Sequence, residues 1–152
     1  MNLDKYQIKT GENLATFEFV SEGSNGKIQK VVQFILTRYQ NIFNLAFGDK
    51  DLETGEIDDF VISNNGDTEK VLATIVASIY IFSEQHPECW IYATGSTKAR
   101  TRLYRIGISK YLSEAEKDFE IFGQIDGEWE SFEREKNYEA FAIKRIYSNL
   151  EL

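Results

Sequence analysis

"DTEKVLATIVASIYIFSEQHPECWIYATG", residues 67–95, decides the fold class, because it sets one long helix and one strand in the middle of strand-like sequence. Asp67 stands where an N-cap belongs, and Glu69 falls in the first turn, where the helix dipole favours negative charge. Val71, Leu72, Ile75, Val76, Ile79 and Tyr80 then recur at helical spacing, with Phe82 and Ser83 flanking the stripe. Ala73, Ala77 and Ile81 make the other side apolar too, so the helix is expected to be covered on more than one side. Pro87 disfavours helix at His86, and "CWIYATG" beyond it reads as a strand.

Upstream, "LATFEFV" alternates, with Ala15, Phe17 and Phe19 on one face. "SEGSNGK" is a turn by composition, in which Gly23 and Gly26 are able to take positive φ. Ile28–Thr37 places Val32, Phe34 and Leu36 together, "NIFNLAFG" does the same for Phe43, Leu45 and Phe47, and "IDDFVIS" reads as a further short strand. Downstream, "STKARTRLYRIG" reads as a second helix, and Ser113 with Glu116 as a capping box for one more turn. "FEIFGQI-DG-EWESF" is a hairpin with Asp126-Gly127 as its type I′ turn, and "YEAFAIKRI" a last strand. The expected fold is α+β: a mostly antiparallel sheet of five to eight strands against two main α-helices. A single domain over 1–147 is expected, with 148–152 as a loose tail.

The chain of 152 residues is 42% hydrophobic and 28% charged, a composition neither disordered nor membrane-spanning. The start "MNLDKYQIKTGENL" carries no apolar segment of a secretory signal, and the single Cys89 excludes an internal disulfide, so a cytoplasmic location is expected. A formal net charge of −8 opposes broad, non-specific binding to nucleic acid.

Against that charge, "TGSTKARTRLYRIG" (94–107) gathers Lys98, Arg100, Arg102 and Arg105, four of the 17 basic side chains. A glycine followed by Ser96 and Thr97 at a helix start offers outward-pointing N–H groups and the positive end of the dipole. Lys98, Arg102 and Arg105 fall within about 60° on the helical wheel, beside an apolar stripe of Ala99, Leu103 and Ile106. Arg100 lies on the other flank, and Tyr104 stands ready to stack or hydrogen-bond. The competing reading is a capped helix with a solvated basic face, and the spacing is not that of a Walker A loop.

Other candidates are weaker. "GDKDLETGEIDD" holds six carboxylates in eleven residues, but Thr54 and Phe60 stand where an EF-hand from Asp49 needs Gly and Glu. It reads as a solvated loop, and no metal site is expected. His86 and Cys89 are close in sequence, which does not align a nucleophile with its base. Trp90, Tyr92, Trp129 and Phe132 would make a platform for bases if exposed, although such residues are more often core. No cofactor motif is present.

At "FNLAFGDKDLETGEIDD", "NNGDTEKVLAT" and "YATGSTKARTRLYRIGI" the sequence resembles a family of uncharacterised bacterial proteins of about 150 residues, seen mainly in Bacteroidota. The resemblance implies a stand-alone domain and supplies no activity or catalytic residue. The residues themselves favour a non-catalytic module that contacts an anionic ligand, a short nucleic-acid segment or an acidic protein partner through 95–105, without a membrane role. The alternatives are an interaction component of a toxin–antitoxin or defence-type two-gene module, and a metal-independent ribonuclease stabilising phosphate charge with Arg, Lys and Tyr.

Overall fold

The computed structural model describes residues 4–11, 14–58, 65–95 and 97–146. They form the expected α+β fold, with two helices and nine strands in a mostly antiparallel open sheet. In chain order these are β1 (Lys9–Thr10), β2 (Thr16–Gly23), β3 (Gly26–Leu36), β4 (Ile42–Lys50), β5 (Ile57–Asp58), α1 (Thr68–Gln85), β6 (Trp90–Ala93), α2 (Lys98–Ala115), β7 (Phe119–Ile125), β8 (Glu128–Ser131) and β9 (Ala140–Arg145). The two-residue β1, paired through Lys9↔Glu18 and Thr10↔Phe17, is one strand more than the sequence suggested. Of "IDDFVIS" only Ile57–Asp58 belongs to the described residues, and the tail 148–152 lies outside them. No helix among the described residues is long and apolar enough to cross a membrane.

The chain divides into two compact units, Met1–Ile35 with Leu45–Phe82, and Leu36–Asn44 with Ser83–Leu152. In the first, hydrogen-bonded neighbours run β1-β2-β3-β4 with β5 on β4. Alternation does what the sequence implied, sending Phe17, Phe19, Val32, Phe34, Leu45 and Phe47 into the core. Leu36, expected with Val32 and Phe34, is instead 63% exposed, because it ends its strand beyond the last paired residue of β2. Of the two turn glycines only Gly26 takes a positive φ (86°). Gly23 is needed for a different reason, since a Cβ there would run into the Asn65 carbonyl.

Helix α1 is buried on several sides, as its composition required, yet its deepest line is not the aliphatic one. Thr74, Ser78 and Phe82 are each 0% exposed, whereas Val76, Ile79 and Tyr80 are half-buried. The small hydroxyls satisfy themselves on the helix, Thr74 Oγ1 donating to Lys70 O and Ser78 Oγ to Thr74 O, so they can face the core. This leaves room for Phe82 to stack on Phe34, with ring centroids 4.1 Å apart. Asp67 before the helix accepts from Tyr6 Oη and Ser21 Oγ, both at 2.5 Å, which ties the N-terminal segment and β2 to the helix start.

In the second unit, which holds only Ile42–Asn44 of β4, the neighbours run β6-β9-β7-β8. The hairpin is as expected, with Asp126 at φ 53° and Gly127 at φ 79° closing an Ile125↔Glu128 pair. Ile91, Ala93, Phe119, Phe141 and Ile143 are buried, together with Phe132 and Tyr138 from the hairpin and the segment after it. Helix α2 departs from expectation twice. It runs on through Gly107, which is buried in mid-helix, to Ala115, so Ser113 sits in its last turns rather than capping a new one. Glu116 is the C-cap, its N–H donating to Leu112 O. A Ser-x-x-Glu pattern is local, and the burial of Leu112 outweighs it.

Candidate functional site

The basic stretch begins at Thr94, directly after β6 ends at Ala93. Thr97 is the N-cap of α2, in extended conformation, and its Oγ1 accepts from Arg100 N at 3.1 Å. Thr101 Oγ1 accepts from Gly95 N at 3.0 Å and donates to Thr97 O at 3.2 Å, while Thr101 N donates to Thr97 O. Gly95 is pressed so close to Arg100 and Thr101 that a Cβ would clash with both. The N–H groups of Gly95, Arg100 and Thr101 and the Thr97 hydroxyl are thus engaged within the turn. Ser96 lies outside the described residues.

The buried residues of α2 are Tyr104, Gly107 and Leu112, so the expected stripe of Ala99, Leu103 and Ile106 is not the inner face, and Ile106 is 41% exposed. The helix is turned by its largest apolar groups, and burying the Tyr104 ring and Leu112 outweighs burying Ile106. Tyr104 therefore cannot stack on a surface ligand. Arg105 Nη1 donates to Asn137 Oδ1 at 2.7 Å, and Arg100, on the flank toward Tyr104, is half-buried. Lys98 and Arg102 remain exposed, one turn apart, with no ion pair or hydrogen bond among the described residues.

The other candidates resolve more simply. Cys89 is buried, and burial pushes its thiol up, helped by the Glu88 carboxylate and opposed by the Lys144 ammonium. Such a thiol is protonated at neutral pH and a poor nucleophile. The His86 ring lies against Phe43, with centroids 5.5 Å apart, and its link to Cys89 is between backbone groups, Cys89 N to His86 O. In the acidic loop, Asp51 Oδ1 accepts from the N–H groups of Glu53 and Thr54, Asp49 pairs with the buried Lys30, and Asp59 lies outside the described residues. No three potential metal ligands converge among the described residues.

The aromatic candidates, by contrast, come together. Alternation along β6 sends Ile91 and Ala93 inward and Trp90 and Tyr92 to the opposite face. The ladder sets Tyr92 opposite Ala142 on β9, and Ala142 opposite Phe122 on β7. Gln124↔Trp129 places Trp129 of β8 on the same face. Small Ala142 thus sits between larger neighbours, and the rings lean over it. Trp90 and Phe122 are 5.7 Å apart and inclined at 57°, and Tyr92 and Trp129 are 6.1 Å apart at 71°. With Ile42 they line a cavity of about 380 Å³. Trp129 is 43% exposed, and Trp90, Tyr92 and Phe122 are half-buried. Phe132, expected in this group, instead packs in the core against Tyr138 and Phe141. Phe122 takes its place, a consequence of the Phe-Glu-Ile-Phe alternation that was present in the sequence. Lys144, two residues beyond Ala142 on the same face, holds its Nζ 5.6 Å from the Trp90 ring.

Residues 2–146 match the model of a family of unknown function, DUF6934, and the chain belongs to that family. No curated protein and no solved structure matches the chain.

Proposed function

We propose that this protein is a non-catalytic binding module whose recognition surface is the aromatic face of β6, β7, β8 and β9. The observation that carries this reading is the half-exposed set of Trp90, Tyr92, Phe122 and Trp129 around the hollow over Ala142. Leaving apolar rings in water forgoes about 25 cal/mol for every Å² that burial would remove, and the rings have a concave shape that a ligand can fill. The face carries its own reporter, because both tryptophans of the chain are on it. Aromatic fragments are expected to shift the tryptophan emission and raise the melting temperature. Ala142→Phe, which fills the hollow from the outer face, should abolish both effects while preserving the far-UV circular dichroism. If no fragment changes emission or melting, or if Ala142→Phe responds like the parent, the face is not a binding site.

A second reading keeps the anionic partner at the start of α2 and rests on Lys98 and Arg102, exposed and without a partner among the described residues. A phosphate-bearing ligand held there at 100 times its dissociation constant would stabilise the protein by about 2.7 kcal/mol. The test is a thermal-shift series with phosphate, nucleotides and short RNA at low and high salt. A salt-sensitive rise lost in Lys98→Gln/Arg102→Gln supports this site, and an unchanged melting temperature removes it.

A further inference from the structure

Lys144 sets the aromatic face apart from a plain apolar patch. The lysine is half-buried on β9, and the contact the structure gives its ammonium is the Trp90 ring. Glu120 is its cross-strand neighbour in the register, yet no ion pair joins them among the described residues. Lys30, Lys50 and Lys136 are matched, with Asp49, with Glu18, and with Glu130 and Glu133, whereas half-buried Lys70 lies, like Lys144, over a ring, that of Tyr6 at 4.4 Å. A purely apolar occupant would cover the rim and strip water from this ammonium without compensation, and a cationic occupant would meet a like charge. A long nucleic-acid strand would have to approach a chain of net charge −8. The species that complements both the hollow and its rim is small, flat and negatively charged at one end.

We propose, building on the aromatic-face reading, that the ligand is a small aromatic anion. Its ring would lie among Trp90, Tyr92, Phe122 and Trp129, and its carboxylate, phosphate or sulfonate oxygens would meet Lys144 Nζ. A cavity of about 380 Å³ is of the size that holds a one- or two-ring molecule. Tilted rings suit such a guest, since inclined and offset contacts are the favoured aromatic geometries. The ammonium fixes the guest's orientation and sets its specificity.

Two dyes that differ in the anionic group test this on the full chain: 1-anilinonaphthalene-8-sulfonate and uncharged N-phenyl-1-naphthylamine. Energy transfer from the two tryptophans reports each dissociation constant. Lys144→Met is expected to weaken the sulfonate dye about fivefold, the upper range of a partly exposed charge pair, and to leave the neutral dye unchanged. Lys144→Arg should restore sulfonate binding. In the parent protein the sulfonate affinity should fall with added salt while the neutral affinity does not, a comparison that holds even if Lys144→Met fails to fold. Equal responses of the two dyes to Lys144→Met, or to salt, overturn the anion assignment and leave the aromatic face standing. Binding of neither dye to the parent overturns the aromatic face as well.

Discussion

Replacing Tyr6 by Phe isolates one hydroxyl in the polar cluster that ties the N-terminal segment to α1. The ring stacks on Phe19 with centroids 5.7 Å apart, and Phe19 stacks on Phe47 at 6.3 Å, contacts that a Phe at position 6 keeps. The hydroxyl donates to Asp67 Oδ2 at 2.5 Å and accepts from Glu22 N at 3.0 Å. Without it Asp67 retains the Ser21 hydroxyl, and the Glu22 N–H, in an exposed residue, regains water. The net loss is one hydrogen bond to a carboxylate, about 2 kcal/mol. For a chain of this size that lowers the melting temperature by about 4–8 °C.

The pH dependence gives the same substitution a second signature. Burial first, and the bond to Asp67 next, raise the Tyr6 phenol above its usual value near 10. A raised folded-state value means the neutral form is favoured by folding, so its contribution is complete below the unfolded value and fades as pH climbs through the folded one. The stability gap between parent and Tyr6→Phe should therefore stay constant from neutrality to about pH 9 and narrow above about pH 10. Tyr138, raised likewise by burial and by its bond to Glu130, is present in both proteins and cancels. Urea titrations followed by circular dichroism at several pH values measure the gap. Equal stability at pH 7, or a gap that does not narrow in alkali, refutes this account of the cluster.

Three further outcomes follow from the structure. Gly123 on β7 lies beneath the Tyr138 ring, so Gly123→Ala forces that ring to move and should cost about 1–3 kcal/mol, read as a lower urea midpoint. Thr97→Ala removes the cap on Arg100 N and should cost about 1 kcal/mol, whereas Thr97→Ser should be near neutral. A single domain over 1–147 would show coincident unfolding by circular dichroism and by emission from Trp90 and Trp129, both in the second unit, whereas separated transitions would make the two units independent.

What the chain determined by itself is local. The existence of α1, the Asp126-Gly127 turn and the alternation of β2, of β3 as far as Phe34, and of β6 are encoded within a few residues of each feature, and the structure follows them. Alternation alone put Trp90 and Tyr92 on the face away from Ile91 and Ala93. What it left open depended on partners distant in sequence. The choice of Phe122 over Phe132, and of Ala142 as the floor between Tyr92 and Phe122, comes from the register of β6, β9 and β7. The rotation of α2, which buries Tyr104 and leaves Lys98 and Arg102 outside, is set by which apolar groups find a core to fill. A helical wheel ranks faces by composition, but burial is decided by the surface that meets them. The same holds for Lys144, whose place beside Trp90, without a carboxylate partner among the described residues, arises only when β6 and β9 pair.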